Sequence, residues 1–277
     1  MEQFSYKTNN GLTIGATFYK HSDEYLDKNN PLIIYLHGGG LIYGSREDLP
    51  TSHIEKLTNH GYSILALDYP LIPESSINEI IDALISGINW GIKEFSINQE
   101  FILFGRSAGA YLTLLLSSRF LTQKPKAVIS LYGYFDLHDK NLSGENAYYK
   151  KYPLITDEIL TPLIGTHPIF NALIEQRFPI YLSYRQRGVW LEKILNGQPI
   201  DSYSLTDEDI QKLPPLFIAA SKDDEDVPYS QSERLADLSK QSDFLTVTAL
   251  PHDFDRFVED EQTQSVYEQL IKWLQSF

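Results

Sequence analysis

A serine bracketed by glycines stands at Gly105-Arg106-Ser107-Ala108-Gly109. Glycines two before and two after it permit a turn so tight that side chains there would strike neighbouring backbone, and the serine hydroxyl projects clear of the chain. A serine hydroxyl is a poor nucleophile at neutral pH and needs a base within hydrogen-bond reach. Of the seven histidines, His252 in Pro251-His252-Asp253-Phe254 is the best placed, just past the last strand-like run and before the last helical one. The base needs a carboxylate to set its tautomer. Ser221-Lys222-Asp223-Asp224-Glu225-Asp226-Val227-Pro228 offers four acidic residues in one loop, and composition cannot choose among them. Its spacing and lack of glycine exclude a calcium loop of the EF-hand type.

His37-Gly38-Gly39-Gly40 is a second glycine-rich turn. Backbone N–H groups there can converge on one point, which suits a negatively charged oxygen. One donor is the amide of Ala108, and Gly38 or Gly39 supplies the other. Leu41-Ile42-Tyr43 follows where a Walker loop would need Gly-Lys-Ser/Thr, and the dinucleotide spacing G-x-G-x-x-G is absent. His37 is read as a brace for this turn, and His53 and His60 as surface residues of an amphipathic helix.

The elements that must carry these residues alternate between strand-like and helix-like runs, the pattern of an α/β protein with a mostly parallel sheet. Phe4–Thr8 and Leu12–Tyr19 read as a hairpin around Asn9-Asn10-Gly11. Pro31–Leu36, Tyr62–Tyr69, Phe101–Phe104, Ala127–Leu131, Leu216–Ala220 and Phe244–Leu250 read as strands. Helices are expected over Thr51–His60, Ser75–Phe95, Ala108–Phe120, Tyr229–Lys240 and Phe257–Leu274. The alternation stops between Leu137 and Leu213, where only Glu158–Ile164 and Pro179–Leu195 look helical. A structureless loop of that length is improbable in a compact domain, so 137–213 is read as a helical lid inserted into a core of 1–136 and 214–277.

Composition narrows the function. The 277 residues carry no cysteine, which removes thiolate nucleophiles, disulfides and sulfur-based metal sites. A formal charge of −14 speaks against nucleic acid as a partner. The longest apolar runs, such as Leu112–Leu116, fall far short of the ~18 residues of a membrane span. The opening MEQFSYKTNN does not resemble a signal peptide, so a soluble, cytoplasmic protein is expected. A small-molecule substrate is the best fit to these limits.

Together these residues resemble the α/β-hydrolase superfamily, and more narrowly its small bacterial esterase/lipase-like hydrolases. The likeness rests on HGGG at 37–40, DYPLIPE at 68–74, GRSAG at 105–109, DEDVP at 224–228 and HDF at 252–254. It covers the chain apart from the insertion, and the order serine, acid, histidine is that of the fold. HGGG and DYPLIPE look like the hormone-sensitive-lipase group, while the acid loop is closer to dienelactone-hydrolase-like and prolyl-peptidase domains. The resemblance implies a triad of Ser107, Asp224 and His252, with Asp226 the alternative acid, and an oxyanion hole at Gly38, Gly39 and Ala108. It implies hydrolysis of a small-molecule ester through an acyl-enzyme, with no metal or organic cofactor. Tyr43, Tyr181, Tyr184 and Trp190 are candidates for the substrate pocket, and Arg185 or Arg187 for meeting a carboxylate; packing of the lid onto the core is the competing role. An exposed aromatic face on the lid would permit a homodimer. A peptidase or amidase of the prolyl-peptidase type, or a non-catalytic binding protein on the same fold, would use the same framework. Activity is expected to fall as His252 protonates near its ordinary pKa of ~6.5.

Overall fold

The apolar runs that read as doubly buried strands form the middle of one eight-stranded sheet. A computed structural model describes residues 1–22 and 30–277. The strands are β1 (Glu2–Lys7), β2 (Thr13–Tyr19), β3 (Leu32–Leu36), β4 (Ile64–Leu67), β5 (Phe101–Arg106), β6 (Ala127–Leu131), β7 (Leu216–Ser221) and β8 (Ser242–Val247). Their spatial order is β1-β2-β4-β3-β5-β6-β7-β8. The β1–β2 hairpin and the β2–β4 pair are antiparallel, and the other pairs are parallel. This is the α/β-hydrolase fold expected from the sequence.

Helices α1 (Thr51–Thr58), α2 (Ile77–Phe95) and α3 (Ala108–Leu115) connect the first strands. Between β6 and β7 lie α4 (Lys140–Ser143), α5 (Asp157–Leu160), α6 (Ile174–Arg187), α7 (Trp190–Leu195) and α8 (Asp207–Ile210). Then come α9 (Tyr229–Leu238) and α10 (Glu261–Leu274). Because successive strand residues point to opposite faces, each central strand feeds two cores. Ile34, Leu36, Leu65, Leu103 and Ile218 pack with α2, α3 and the helices between β6 and β7. Ile33, Tyr35, Ile64, Phe104 and Phe217 pack with α1 and α10.

Several boundaries differ from the sequence pattern for local reasons. The helix expected from Pro179 starts at Ile174, and Pro179 lies inside it. The bond that proline cannot donate would have gone to the carbonyl of Glu175, in the helix's exposed first turn. The helical run to Leu195 is broken at Gly188, which adopts φ +64° and separates α6 from α7. The last helix starts at Glu261, where Asp260 accepts from the amides of Gln262 and Thr263, and 254–256 form a 3₁₀ turn instead. No helix among the described residues is long and apolar enough to cross a membrane.

The glycine turn follows β3, the Ser107 turn follows β5, the acid loop follows β7 and His252 follows β8. All four therefore meet at the carboxyl ends of parallel strands, where ligands of open α/β sheets bind.

Candidate active site

Ser107 sits between β5 and α3 with φ 52° and ψ −119°. A non-glycine residue held there stores about 1–3 kcal/mol of strain, so the surroundings must enforce it. Part of that constraint is the bond from the Ser107 amide to the carbonyl of Leu131, at 2.9 Å. Part is Gly109: a Cβ there would lie 2.1 Å from the carbonyl oxygen of Leu36, so α3 approaches β3 only because the residue is glycine.

His252 Nε2 lies 2.8 Å from Ser107 Oγ, and its Nδ1 lies 2.5 Å from Asp224 Oδ2. With Nδ1–H donating to the carboxylate, Nε2 of the neutral ring is free to accept the serine proton. Each acid of the loop has its own task. Asp224 Oδ1 accepts from the amides of Asp226 and Val227, both at 2.8 Å, which turns Oδ2 to His252. Asp223 accepts from the amide of Ala249 at 2.6 Å. Glu225 is paired with Lys151 near the surface. Asp226, the alternative acid, instead accepts from Tyr181 Oη at 2.7 and 2.8 Å and faces Arg185 at 3.3 Å. Burial of the His252 ring favours its neutral form, but the carboxylate of Asp224, helped by Asp226 and Asp253, outweighs it and raises the pKa to about 9. The expectation of an ordinary value of ~6.5 is thereby corrected.

The glycine turn lies against the serine. A Cβ on Gly38 would come 3.3 Å from Ser107 Cβ, and Gly39 adopts φ +99° beside the carbonyl of Tyr43. Ala108 is the first residue of α3, so its amide has no carbonyl partner within the helix. His37 is buried and stacks on Tyr69 at 4.1 Å, while Tyr69 Oη donates to the His37 carbonyl at 2.8 Å. Burial pushes the His37 pKa down, which keeps the ring uncharged beside the site. Asp68 of the same run binds Arg46 through the Arg46 amide at 2.9 Å and through the guanidinium.

A cavity of about 400 Å³ opens over Ser107 and His252. It is lined by Gly38, Gly39 and Gly40, by Tyr43 and Tyr132, by the segment Ala172–Glu175, and by charged groups including Asp48, Asp226 and Arg256. Of the four aromatic pocket candidates only Tyr43 reaches it. Tyr181 abuts Gly40 and binds Asp226, Trp190 Nε1 donates to the Gly40 carbonyl at 3.1 Å, and Tyr184 is buried in the core. Arg185 is buried and donates to the carbonyls of Leu142 and Asp226, each at 2.8 Å, and Arg187 pairs with Asp157 at the surface. These side chains fasten the helices to the core, and of the stretch 137–213 it is 172–175 that lines the cavity. His53 is not a surface residue: it is buried, stacked on Tyr267 at 3.6 Å, with Nε2 2.8 Å from the Asp255 carbonyl. His60 is half-buried. Asp48, Arg106, Tyr132 and Arg256 carried no signal in the sequence, because the segments that bring them here are far apart along the chain.

The strand order and the turns at the ends of the parallel strands are those of the α/β-hydrolase superfamily. The chain belongs to the alpha/beta hydrolase fold family, whose profile matches residues 33–256. It is 31% identical to an alpha/beta hydrolase superfamily protein from Enterococcus faecalis, with a TM-score of 0.83 over 100% of this chain and 99% of that one. A protein of unknown function from Staphylococcus aureus subsp. aureus Mu50 is 29% identical, with a TM-score of 0.90 over 100% of this chain and 99% of that one. Among curated proteins, the carboxylesterase/phospholipase LipF of Mycobacterium tuberculosis is 26% identical over 69% of this chain. The chain spans 46% of LipF, and 7–13% of the fungal non-reducing polyketide synthases it also matches.

Proposed function

We infer that this protein is a serine hydrolase that cleaves carboxylic esters of small or medium acyl groups. The observation that carries the reading is the unbroken hydrogen-bonded chain from Ser107 through His252 to Asp224 at the floor of a cavity. Ser107 Oγ attacks the ester carbonyl as His252 Nε2 takes its proton. The amides of Ala108 and of Gly38 or Gly39 hold the developing oxyanion, a contribution of about 10²–10³ in kcat per donor in such sites. His252 returns the proton to the departing alcohol, then activates water to release the acid, and Asp224 keeps the ring oriented throughout. The cavity volume lies at the lower end of the ~300–1,000 Å³ range of small-molecule sites, which favours compact esters.

Labelling by a fluorophosphonate tests this without knowledge of the natural substrate, since the probe needs only an activated serine and an oxyanion hole. Wild type should label at one site, and Ser107→Ala and His252→Ala should not. Labelling that survives Ser107→Ala would overturn the assignment. Matched p-nitrophenyl esters and anilides then measure the ester preference.

A further inference from the structure

Arg106 precedes Ser107 directly and is 1% exposed, so a permanent charge is buried at the end of β5. Such a charge persists only where its N–H groups are answered. Nε donates to Tyr132 Oη at 2.6 Å, Nη1 to the carbonyl and carboxylate of Asp48 at 3.1 and 3.2 Å, and Nη2 to Asp255 Oδ1 at 2.7 Å. These partners lie on three different segments. Asp48 belongs to the loop that starts with the glycine turn. Tyr132 follows β6, and its ring meets the His252 ring edge-on at 4.8 Å. Asp255 lies three residues beyond His252 and is also held by Tyr132 Oη at 2.7 Å and Tyr267 Oη at 3.0 Å.

We propose that Arg106 is a positioning residue for His252, tying the segment that carries the histidine and the loop that carries the oxyanion donors to the residue beside the nucleophile. The inference rests on the serine-hydrolase reading and extends it. A planar fork serves Tyr132, Asp48 and Asp255 at once, whereas a lysine ammonium is a single point of charge on a flexible stem. The Ser107–His252 contact depends on that arrangement, because misplacement by ~1 Å can cost about 10²-fold in rate.

The test compares wild type with Arg106→Gln, Arg106→Lys and Tyr132→Phe on p-nitrophenyl butyrate, with active sites counted by end-point fluorophosphonate labelling. Arg106→Gln should lower kcat per labelled site by about 10²-fold with KM unchanged, and the other two should lower it by less. Arg106→Lys and Tyr132→Phe keep the charge balance, so they carry the test if the glutamine variant does not fold. Variants that melt earlier yet keep the wild-type kcat per labelled site would overturn the proposal and leave Arg106 a purely structural ion pair. A folded wild type that is not labelled at Ser107 would overturn the hydrolase reading itself, and the inference with it.

Discussion

The 2.5 Å contact between His252 and Asp224 sets the pH at which the base becomes available. A general base must be neutral, and the ring, raised to about 9 against the pull of burial, keeps its proton through neutral pH. The rate constant kcat/KM should therefore keep rising above pH ~6.5, the ordinary histidine value, and level off only at alkaline pH. A profile flat from neutrality upward would contradict this. Asp224→Asn should move the limb to lower pH and reduce kcat by about 10⁴-fold. The same shift links to stability: the His252–Asp224 pair stabilises the fold fully below pH ~6.5, and that contribution is lost as pH rises through the folded-state value of about 9. Labelling kinetics followed across the same range would show whether Ser107 reactivity tracks the titration.

At the scale of elements, the turn after β3 and the acid loop are held rather than free. Gly39→Ala would put a Cβ 2.0 Å from the carbonyl oxygen of Tyr43 at a φ that side chains avoid. The turn must then move, and kcat should fall by about 10²-fold or more while the sheet survives. Helix α6 fastens the acid loop: Tyr181 binds the carboxylate of Asp226 and Arg185 its carbonyl, while Asn146 Nδ2 donates to the Glu225 carbonyl at 2.9 Å. Tyr181→Phe removes a hydrogen bond to a charged group, worth about 2 kcal/mol, and should lower the urea midpoint accordingly. An unchanged midpoint would mean that the Tyr181–Asp226 bond adds nothing to the hold of α6 on the loop.

Over the whole molecule, the helices between β6 and β7 share one apolar cluster with α2 and α3. Arg177 of α6 reinforces the join. It binds both oxygens of Glu74 at 2.8 and 2.6 Å and donates to the carbonyls of Ile42 and Ile72 at 2.7 and 2.8 Å. A region so joined should not melt by itself. Calorimetry is expected to record a single transition, and a separate early one would show that 137–213 is an independent lid.

Read alone, the sequence determined the sheet, the Ser107 turn and the candidate base His252, because glycine spacing, apolar runs and chain order are local signals. The acid was different. Four carboxylates of equal chemistry share one loop, and only the folded backbone, with the amides of Asp226 and Val227 gripping Asp224 Oδ1, turns one of them to the histidine. The pocket was equally out of reach, since residue type alone does not say whether Tyr181, Tyr184 and Trp190 face a core or a cavity. His53 read as exposed because its cover, Tyr267 on α10, lies more than two hundred residues away. Arg106 carried no role in the sequence for the same reason: its partners at 48, 132 and 255 are brought together only by the fold, and a charge becomes buried and paired only in three dimensions.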